Sequence, residues 1–149
     1  MVLDHERLDV YHLALDFVVF VNGIVEALPR GRSHLADQFT RASTSIVLNI
    51  AEGAGKRSKG DKRRYYLTAR GSATESAALL DVCWRLELLD EAGQKAGKSM
   101  LVRVVAMLIK LAQACEEIAP RDPSAQPPQH GLDEPAVVLP PSPGASLRL

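Results

Sequence analysis

Six basic side chains fall within nine residues in the stretch "NIAEGAGKRSKGDKRRYY", residues 49–66. Clustered ammonium and guanidinium groups bind phosphate, and the free amides of a helix start add to such a site. Positive charge at a helix start opposes the helix dipole, so solvation alone explains the placement poorly. The pattern favours a surface for a polyanion, with a solvated corner between two helices as the open alternative. The six residues are Lys56, Arg57, Lys59, Lys62, Arg63 and Arg64.

Two tyrosines follow the basic run, and either could stack on a base if it is exposed. Upstream, Arg41 adds a further cation to the predicted nucleic-acid-binding set. Between residues 29 and 70 there are ten Lys or Arg residues and three acids, a local surplus of seven in a chain whose formal net charge is zero. The positive charge is therefore local, and composition alone does not indicate a polyanionic partner.

Other patterns that could support chemistry are weaker. The glycines around the basic run lack the GxxxxGK[ST] spacing of a phosphate loop, and they follow a predicted helix rather than a strand. His5, Asp9 and His12 share one helical face, but no fourth ligand is indicated and a solvated terminus is the simpler interpretation. No serine or cysteine has a recognisable base beside it. The sequence therefore predicts no catalytic residue, metal, cofactor or small-molecule substrate.

Glu52 lies at the end of an apolar helical pattern, where the helix dipole disfavours a carboxylate. We expect a compensating partner, an arginine such as Arg41 or Arg70, with Asn49 assisting one turn earlier. A general-base role would need a second titratable group at an interpretable spacing, which the sequence lacks. We therefore interpret Glu52 as a structural residue of the corner next to Gly53.

The elements that must position these residues are helices. Apolar residues recur at three- and four-residue steps and predict helices over residues 7–28, 34–51, 61–89 and 98–118. No segment alternates with period two for long enough to form a strand. The predicted fold is all-α, an antiparallel up-down four-helix bundle.

Local signals set the predicted helix ends. Ser33 is expected to cap the second helix, and Gly53 and Gly55 to end it in left-handed turn conformations. The stretch "DEAGQKAGK" is expected to interrupt the pattern before the fourth helix.

Eight of the nine prolines lie at or after Pro120. This density of proline predicts a flexible tail over residues 120–149 and a bundle over residues 1–119. Cys83 and Cys115 have no metal-ligand spacing and are expected to be buried thiols in a reducing compartment. With no export signal and no membrane segment predicted, we expect a cytoplasmic protein.

Two helices carry more apolar surface than a lone bundle needs. Their extra aliphatic residues widen the apolar stripe beyond the roughly 100° that faces a core. We expect a second copy of the chain to cover the surplus. The residues concerned are Val18, Val19 and Val21 on the first helix and Val102, Val105, Met107 and Ile109 on the fourth.

The segment "RASTSIVLNIAEGAGKRSKGDKRRYYLTARGSATE", residues 41–75, resembles the signature region of a bacterial family of four-helix-bundle proteins. That family includes the proteins encoded by intervening sequences in 23S ribosomal RNA genes, and the resemblance extends over about residues 8–118. It implies a structural motif at Asn49, Glu52, Gly53, Gly71, Ser72 and Glu75.

The resemblance also implies assembly into a homopentameric barrel with a basic face. A related branch, the accessory proteins of diversity-generating retroelements, partners a reverse transcriptase and binds nucleic acid. This chain differs from that branch in its zero net charge and its proline-rich tail. The difference favours the less characterised, ribosome-associated branch.

Two functional hypotheses follow. The first is a non-catalytic oligomer that binds structured RNA or DNA through Arg41 and the six cations. The second is a protein-interaction scaffold whose basic residues receive an acidic segment of a partner, or of the chain's own tail around Asp133 and Glu134.

Overall fold

The protein is described by a computed structural model, which covers residues 1–116 of the 149-residue chain. The proposed tail, residues 120–149, lies outside the described residues. A short 3-10 helix is followed by four α-helices, and the described part of the chain contains no strand, which confirms the all-α prediction. The elements are the 3-10 helix Asp4–Arg7, α1 Asp9–Ala27, α2 Ser33–Gly55, α3 Lys59–Arg85 and α4 Glu91–Ala114.

Each helix packs against its neighbours in chain order, and α1 also packs against α4. Within residues 1–116 no Cα atoms of the diagonal pairs α1–α3 and α2–α4 lie within 8 Å of each other, so the four helices stand at the corners of a square. The α1–α2 side of the bundle is therefore opposite its α3–α4 side. Short connections make consecutive helices antiparallel, so α1 and α3 begin at the end where α2 and α4 finish.

The core is filled from the predicted apolar stripes. On α3, Ala69 and Ala73 are fully buried, so small side chains let the neighbouring helices approach. The helical spacing of α2 predicts five core residues, and all five are buried: Leu35, Phe39, Ala42, Ile46 and Ile50. Phe20 of α1 and Leu28, which follows the helix, are only half-buried. The largest fully buried side chains are Phe17, Phe39, Ile46, Ile50, Leu80 and Leu108.

Helix α4 begins seven residues earlier than predicted, because the glycines expected to interrupt it are helical. Asp90 caps the helix, its Oδ1 accepting a hydrogen bond from the Gly93 amide at 2.7 Å. Gly97 is buried, and a Cβ placed there would lie 2.7 Å from Leu80 Cδ1 and 2.8 Å from Phe20 Cε1. The glycine thus serves close packing of α4 on α1 and α3.

The helix ends around α2 also differ from the prediction. Helix α2 continues to Gly55, and neither Gly53 nor Gly55 is left-handed; the glycine with positive φ is Gly31, at +91°, in the turn before α2. Ser33 is the first residue of α2, and no side chain caps that end. Backbone hydrogen bonds to the carbonyl of Arg32 begin the helix instead.

Helix α1 is long and apolar enough, by length and composition, to cross a membrane, with a mean hydropathy of 1.5 over its 18-residue window. Its inner side packs in the bundle core, but a third of that window is buried, so the core accounts for only part of the hydropathy. The six buried residues are Val10, Leu13, Ala14, Phe17, Val21 and Ile24.

Cys83 and Cys115 are both buried and free, as predicted. Burial raises the pKa of the Cys83 thiol, with Arg32 acting in the opposite direction. Neither cysteine is placed to act as a nucleophile on the surface.

Candidate nucleic-acid interface

The six cations lie where α2 ends and α3 begins, and residues 56–64 are hereafter the basic corner. The turn is tight because Gly53 is buried: a Cβ there would lie 2.9 Å from Tyr66 Cε1 and 3.0 Å from Tyr65 Cβ. Ser58 then caps α3, its Oγ accepting a hydrogen bond from the Asp61 amide at 3.1 Å. Two local contacts therefore fix the direction in which the cations project.

Lys62 has a structural role in the basic corner. Its ammonium donates a hydrogen bond to the carbonyl of Ala54 at 2.8 Å, and the residue is half-buried. Carbonyls in the last turn of a helix lack backbone partners, so a lysine from the next helix satisfies one of them. Lys62 thus ties α3 to the end of α2.

Three further cations lie near carboxylates of the chain itself, so they are not free of charge partners. The nitrogen–oxygen distances of 3.5 to 3.6 Å are longer than a direct charged hydrogen bond. The three carboxylates and Arg64 are more than half exposed, whereas Lys56 and Arg63 are half-buried. Such pairs contribute at most about 1 kcal/mol and exchange readily with another anion. The pairs are Lys56–Glu52, Arg63–Glu116 and Arg64–Asp61.

The remaining two cations of the corner are open to solvent. Arg57 and Lys59 are exposed, and within residues 1–116 no carboxylate lies within 4.0 Å of either. They bracket Ser58 at the first turn of α3, where free amides also face solvent. This is the part of the basic corner best placed to meet an external anion.

The two tyrosines have different environments. Tyr66 is 4% exposed, and desolvation, aided by Cys115 and Asp4, raises the pKa of its phenol, so it is a core residue and is not available for stacking. Tyr65 is half-buried beneath Lys56, whose Nζ lies 5.1 Å from the ring centroid, and Arg64, whose Cζ lies 5.3 Å away. The ring of Tyr65 therefore orients two cations rather than offering a free face.

Glu52 pairs with Lys56 one turn later, not with Arg41 or Arg70 as expected. Asn49 donates through Nδ2 to the Ser45 carbonyl at 2.8 Å and to Ser45 Oγ at 3.0 Å. Ser45 Oγ in turn shares a hydrogen bond of 2.8 Å with Ser72 Oγ of α3.

The other five motif residues divide into three groups. Asn49 and Ser72 belong to a line of hydrogen-bonded polar side chains, with Ser45 between them, that joins α2 to α3. Gly53 permits the close approach of Tyr65 and Tyr66 where the chain turns from α2 to α3. Gly71 and Glu75 are exposed on the outer side of α3, and nothing lies within 4 Å of a Cβ built at Gly71. The local contacts of the bundle do not account for these two residues.

Arg41 is not brought into the basic corner. It precedes Lys56 by fifteen residues on the same helix, a separation of about 22 Å at 1.5 Å per residue. It is exposed, and no carboxylate of residues 1–116 lies within 4.0 Å of it. A ligand that engages both Arg41 and the corner must extend along α2.

The structural roles of Ser58 and Lys62 were not predicted. The sequence signal for Ser58 is the Ser-x-x-Asp spacing of "SKGD", in which an acidic residue three positions after the serine is typical of a helix start. The role of Lys62 depends on a contact between helices and has no local signal.

The geometry defines a class: an antiparallel four-helix bundle with a rigid α2–α3 corner that presents cations. The family of the 23S rRNA-intervening sequence protein matches residues 6–110, so the chain belongs to that family. No curated protein matches the chain.

A solved structure has the same fold. The crystal structure of a protein of unknown function from the S23 ribosomal protein family of Bacteroides thetaiotaomicron is similar with a TM-score of 0.65 and 22% sequence identity. The match covers 70% of this chain and 95% of that one. At this identity the likeness concerns the fold alone.

Proposed function

We propose that this protein is a non-catalytic, cytoplasmic assembly of four-helix bundles that binds the phosphate backbone of structured RNA through its basic corner. The observation that best supports this proposal is the exposed pair Arg57 and Lys59 at the first turn of α3, with no carboxylate of the described residues beside them. Membership of the 23S rRNA-intervening sequence family supports ribosomal RNA as the first ligand to test.

The cations contribute unequally to this proposal. Arg57 and Lys59 meet phosphate directly, while Lys56, Arg63 and Arg64 must first leave weak surface pairs. Lys62 supports the corner from within, and Arg41 extends the surface along α2. Backbone binding of this kind carries little sequence preference, because phosphate contacts position a nucleic acid without reading its bases.

The copy number proposed for the assembly is five, a closed homopentameric barrel. The surplus apolar surface supports self-association, and the family resemblance supports the number. A ring repeats each basic corner around one axis, so that several weak sites act on one RNA with increased effective affinity.

The test is a salt series with a 23S rRNA fragment. Replacing Arg57 and Lys59 together by alanine should lower affinity and reduce the slope of log K against log salt concentration by about 2 for each basic corner that contacts the RNA, one per lost phosphate contact. A matched control replaces Arg30 and Arg103, two exposed arginines away from the corner, and keeps the same net charge. Equal losses in both double variants, or binding that is insensitive to salt, would contradict the proposal.

A protein-interaction scaffold is the second candidate, favoured by the exposed aliphatic side chains Val19, Leu48 and Val102. In this case the basic corner receives an acidic segment of a partner protein. A pull-down after nuclease treatment distinguishes the two, since partners held through RNA are released and partners held directly are retained.

A further inference from the structure

The outer side of α2 carries two shallow depressions that share one side chain. Their volumes are about 390 Å³ and about 360 Å³, and Leu48 lines both. Clefts of this size can hold a small ligand or one group of a larger ligand. The first depression is also lined by Arg41 and Asn49, and the second by His5 and Lys56.

Together the two depressions form a continuous surface, hereafter the α2 track, which runs from Arg41 to Lys56 at the basic corner. Residues three or four positions apart share one face of a helix, and those along the track are Arg41, Thr44, Leu48 and Ala51. The track is about 22 Å long at 1.5 Å per residue. A stacked strand of nucleic acid advances about 3.4 Å per nucleotide, so about six nucleotides span this length.

The cations of the α2 track lie at its two ends. Arg41 is exposed at one end, and at the other Lys56 lies 3.5 Å from Glu52, in a surface pair that a phosphate can replace. Residues 42–51, between these ends, contain no Lys, Arg, Asp or Glu. A duplex presents phosphates along its whole outer surface, so the uncharged middle of the track matches it poorly. An unpaired strand can turn its bases toward such a surface.

The second depression contains an aromatic ring and an apolar side chain that can contact a base. His5, on the 3-10 helix, lines it together with Leu48. The His5 ring packs edge-on against Tyr11 with 4.7 Å between the ring centroids, which supports its position. Histidine rings stack on unpaired bases of RNA, and Leu48, which is 59% exposed, adds apolar contact.

The α2 track also contains hydrogen-bond acceptors for a base. Asn49 donates through Nδ2 to the carbonyl and the hydroxyl of Ser45, and within residues 1–116 no group donates to its Oδ1. Glu52 becomes a second acceptor when a phosphate takes Lys56 from it. Acceptors of this kind pair with the exocyclic amino groups of bases, so a base such as adenine suits the track.

We infer that the α2 track binds an unpaired RNA strand of about six nucleotides, with phosphates at Arg41 and Lys56 and a base against His5 and Leu48. The uncharged middle and the cations at both ends together favour this occupant over a duplex. The inference rests on the proposed RNA binding at the basic corner and adds that the bound RNA includes an unpaired segment.

Two RNA probes test the inference on the full-length protein. One is a blunt, fully paired duplex, and the other is the same duplex with a 3′ extension of about six unpaired adenosines, the length of the track. The wild-type protein should bind the extended probe about tenfold more tightly, which is the scale of one base contact. Fluorescence anisotropy with labelled RNA measures both affinities.

Substitutions in the middle of the track should remove this gain. Leu48→Glu places a carboxylate there and should leave the two probes with equal affinities, and His5→Ala, which adds no charge, should reduce the gain. Val82→Glu is the matched control, because it adds the same charge at an exposed valine of α3 that does not line the track, and it should keep the gain. Circular dichroism confirms that each variant is folded.

The outcomes separate this inference from the proposed function. Equal binding of both probes by the wild-type protein would overturn the inference and leave the basic corner intact. A gain that persists in Leu48→Glu would also overturn it, because the unpaired strand would then lie elsewhere. Replacing Arg57 and Lys59 by alanine should weaken binding of both probes and keep their ratio. If the wild-type protein binds neither probe, the proposed function is wrong as well.

Discussion

Two lysines of the basic corner have different roles. Lys62 and Lys59 are three positions apart, yet one ammonium is held by a backbone carbonyl of α2 and the other is open to solvent. The difference follows from the turn made at Gly53, which brings the first turn of α3 against the last turn of α2. Charge counted along the sequence therefore overstates the charge available to a ligand.

Substitution of Gly53 tests whether close packing at this single residue stabilises the corner. Gly53→Ala adds a Cβ within 3.0 Å of Tyr65 and Tyr66, and overpacking of that kind costs more than the alanine gains in helix propensity. We expect a net loss of about 1 kcal/mol in the free energy of unfolding, measured by urea denaturation.

Gly23 of α1 is the matched control, since nothing lies within 4 Å of a Cβ built there. Gly23→Ala should stabilise the protein by up to about 1 kcal/mol, because alanine is the better helix former. If the two variants shift the urea midpoint in the same direction, the packing role of Gly53 is wrong.

At the scale of elements, the end of α3 differs from the prediction. The apolar pattern predicted a helix to residue 89, but α3 ends at Arg85, and Glu87 adopts a left-handed φ of 60°. The amide of Leu88 donates to the carbonyl of Cys83 at 2.8 Å, which closes the helix end. Glycine is the usual residue at such a position, because a side chain there is strained.

Glu87→Gly should therefore raise the free energy of unfolding by up to about 1 kcal/mol. The gain arises from relief of backbone strain rather than from loss of charge. Glu87→Ala, which removes the charge and keeps the strain, should show no such gain in thermal or urea unfolding. An equal gain in both variants would assign the effect to the carboxylate.

The sequence predicted the features that depend on local periodicity. The five core residues that the stripe on α2 predicted are all buried, because helical spacing alone sets which side chains share a face. The sequence analysis placed the start of α4 too late, because a glycine such as Gly97 usually interrupts a helix. The contacts of Gly97 with Leu80 and Phe20, which explain why a glycine is present there, are visible only in the fold. The partners of Glu52 and Lys62 likewise depend on how helix ends meet, which no local pattern specifies.

At the scale of the whole molecule, residues 1–116 already contain a closed core drawn from all four helices. We expect a chain truncated after residue 119 to fold with the same helical circular dichroism signal per bundle and the same number of copies per particle. Light scattering and a thermal melt, with the full-length chain as the control, measure both. Loss of assembly on truncation would show that residues 120–149 take part in the contact between copies.

An even number of antiparallel helices brings both ends of the described chain to one side of the molecule. The 3-10 helix packs on α2, and Glu116 pairs with Arg63, so both ends lie at the basic corner. An affinity tag or fluorescent protein fused at residue 1 or directly after residue 116 would thus crowd the surface that is proposed to hold RNA. Labels for binding experiments belong in the turns at residues 28–32 or 86–90, at the far end of the bundle.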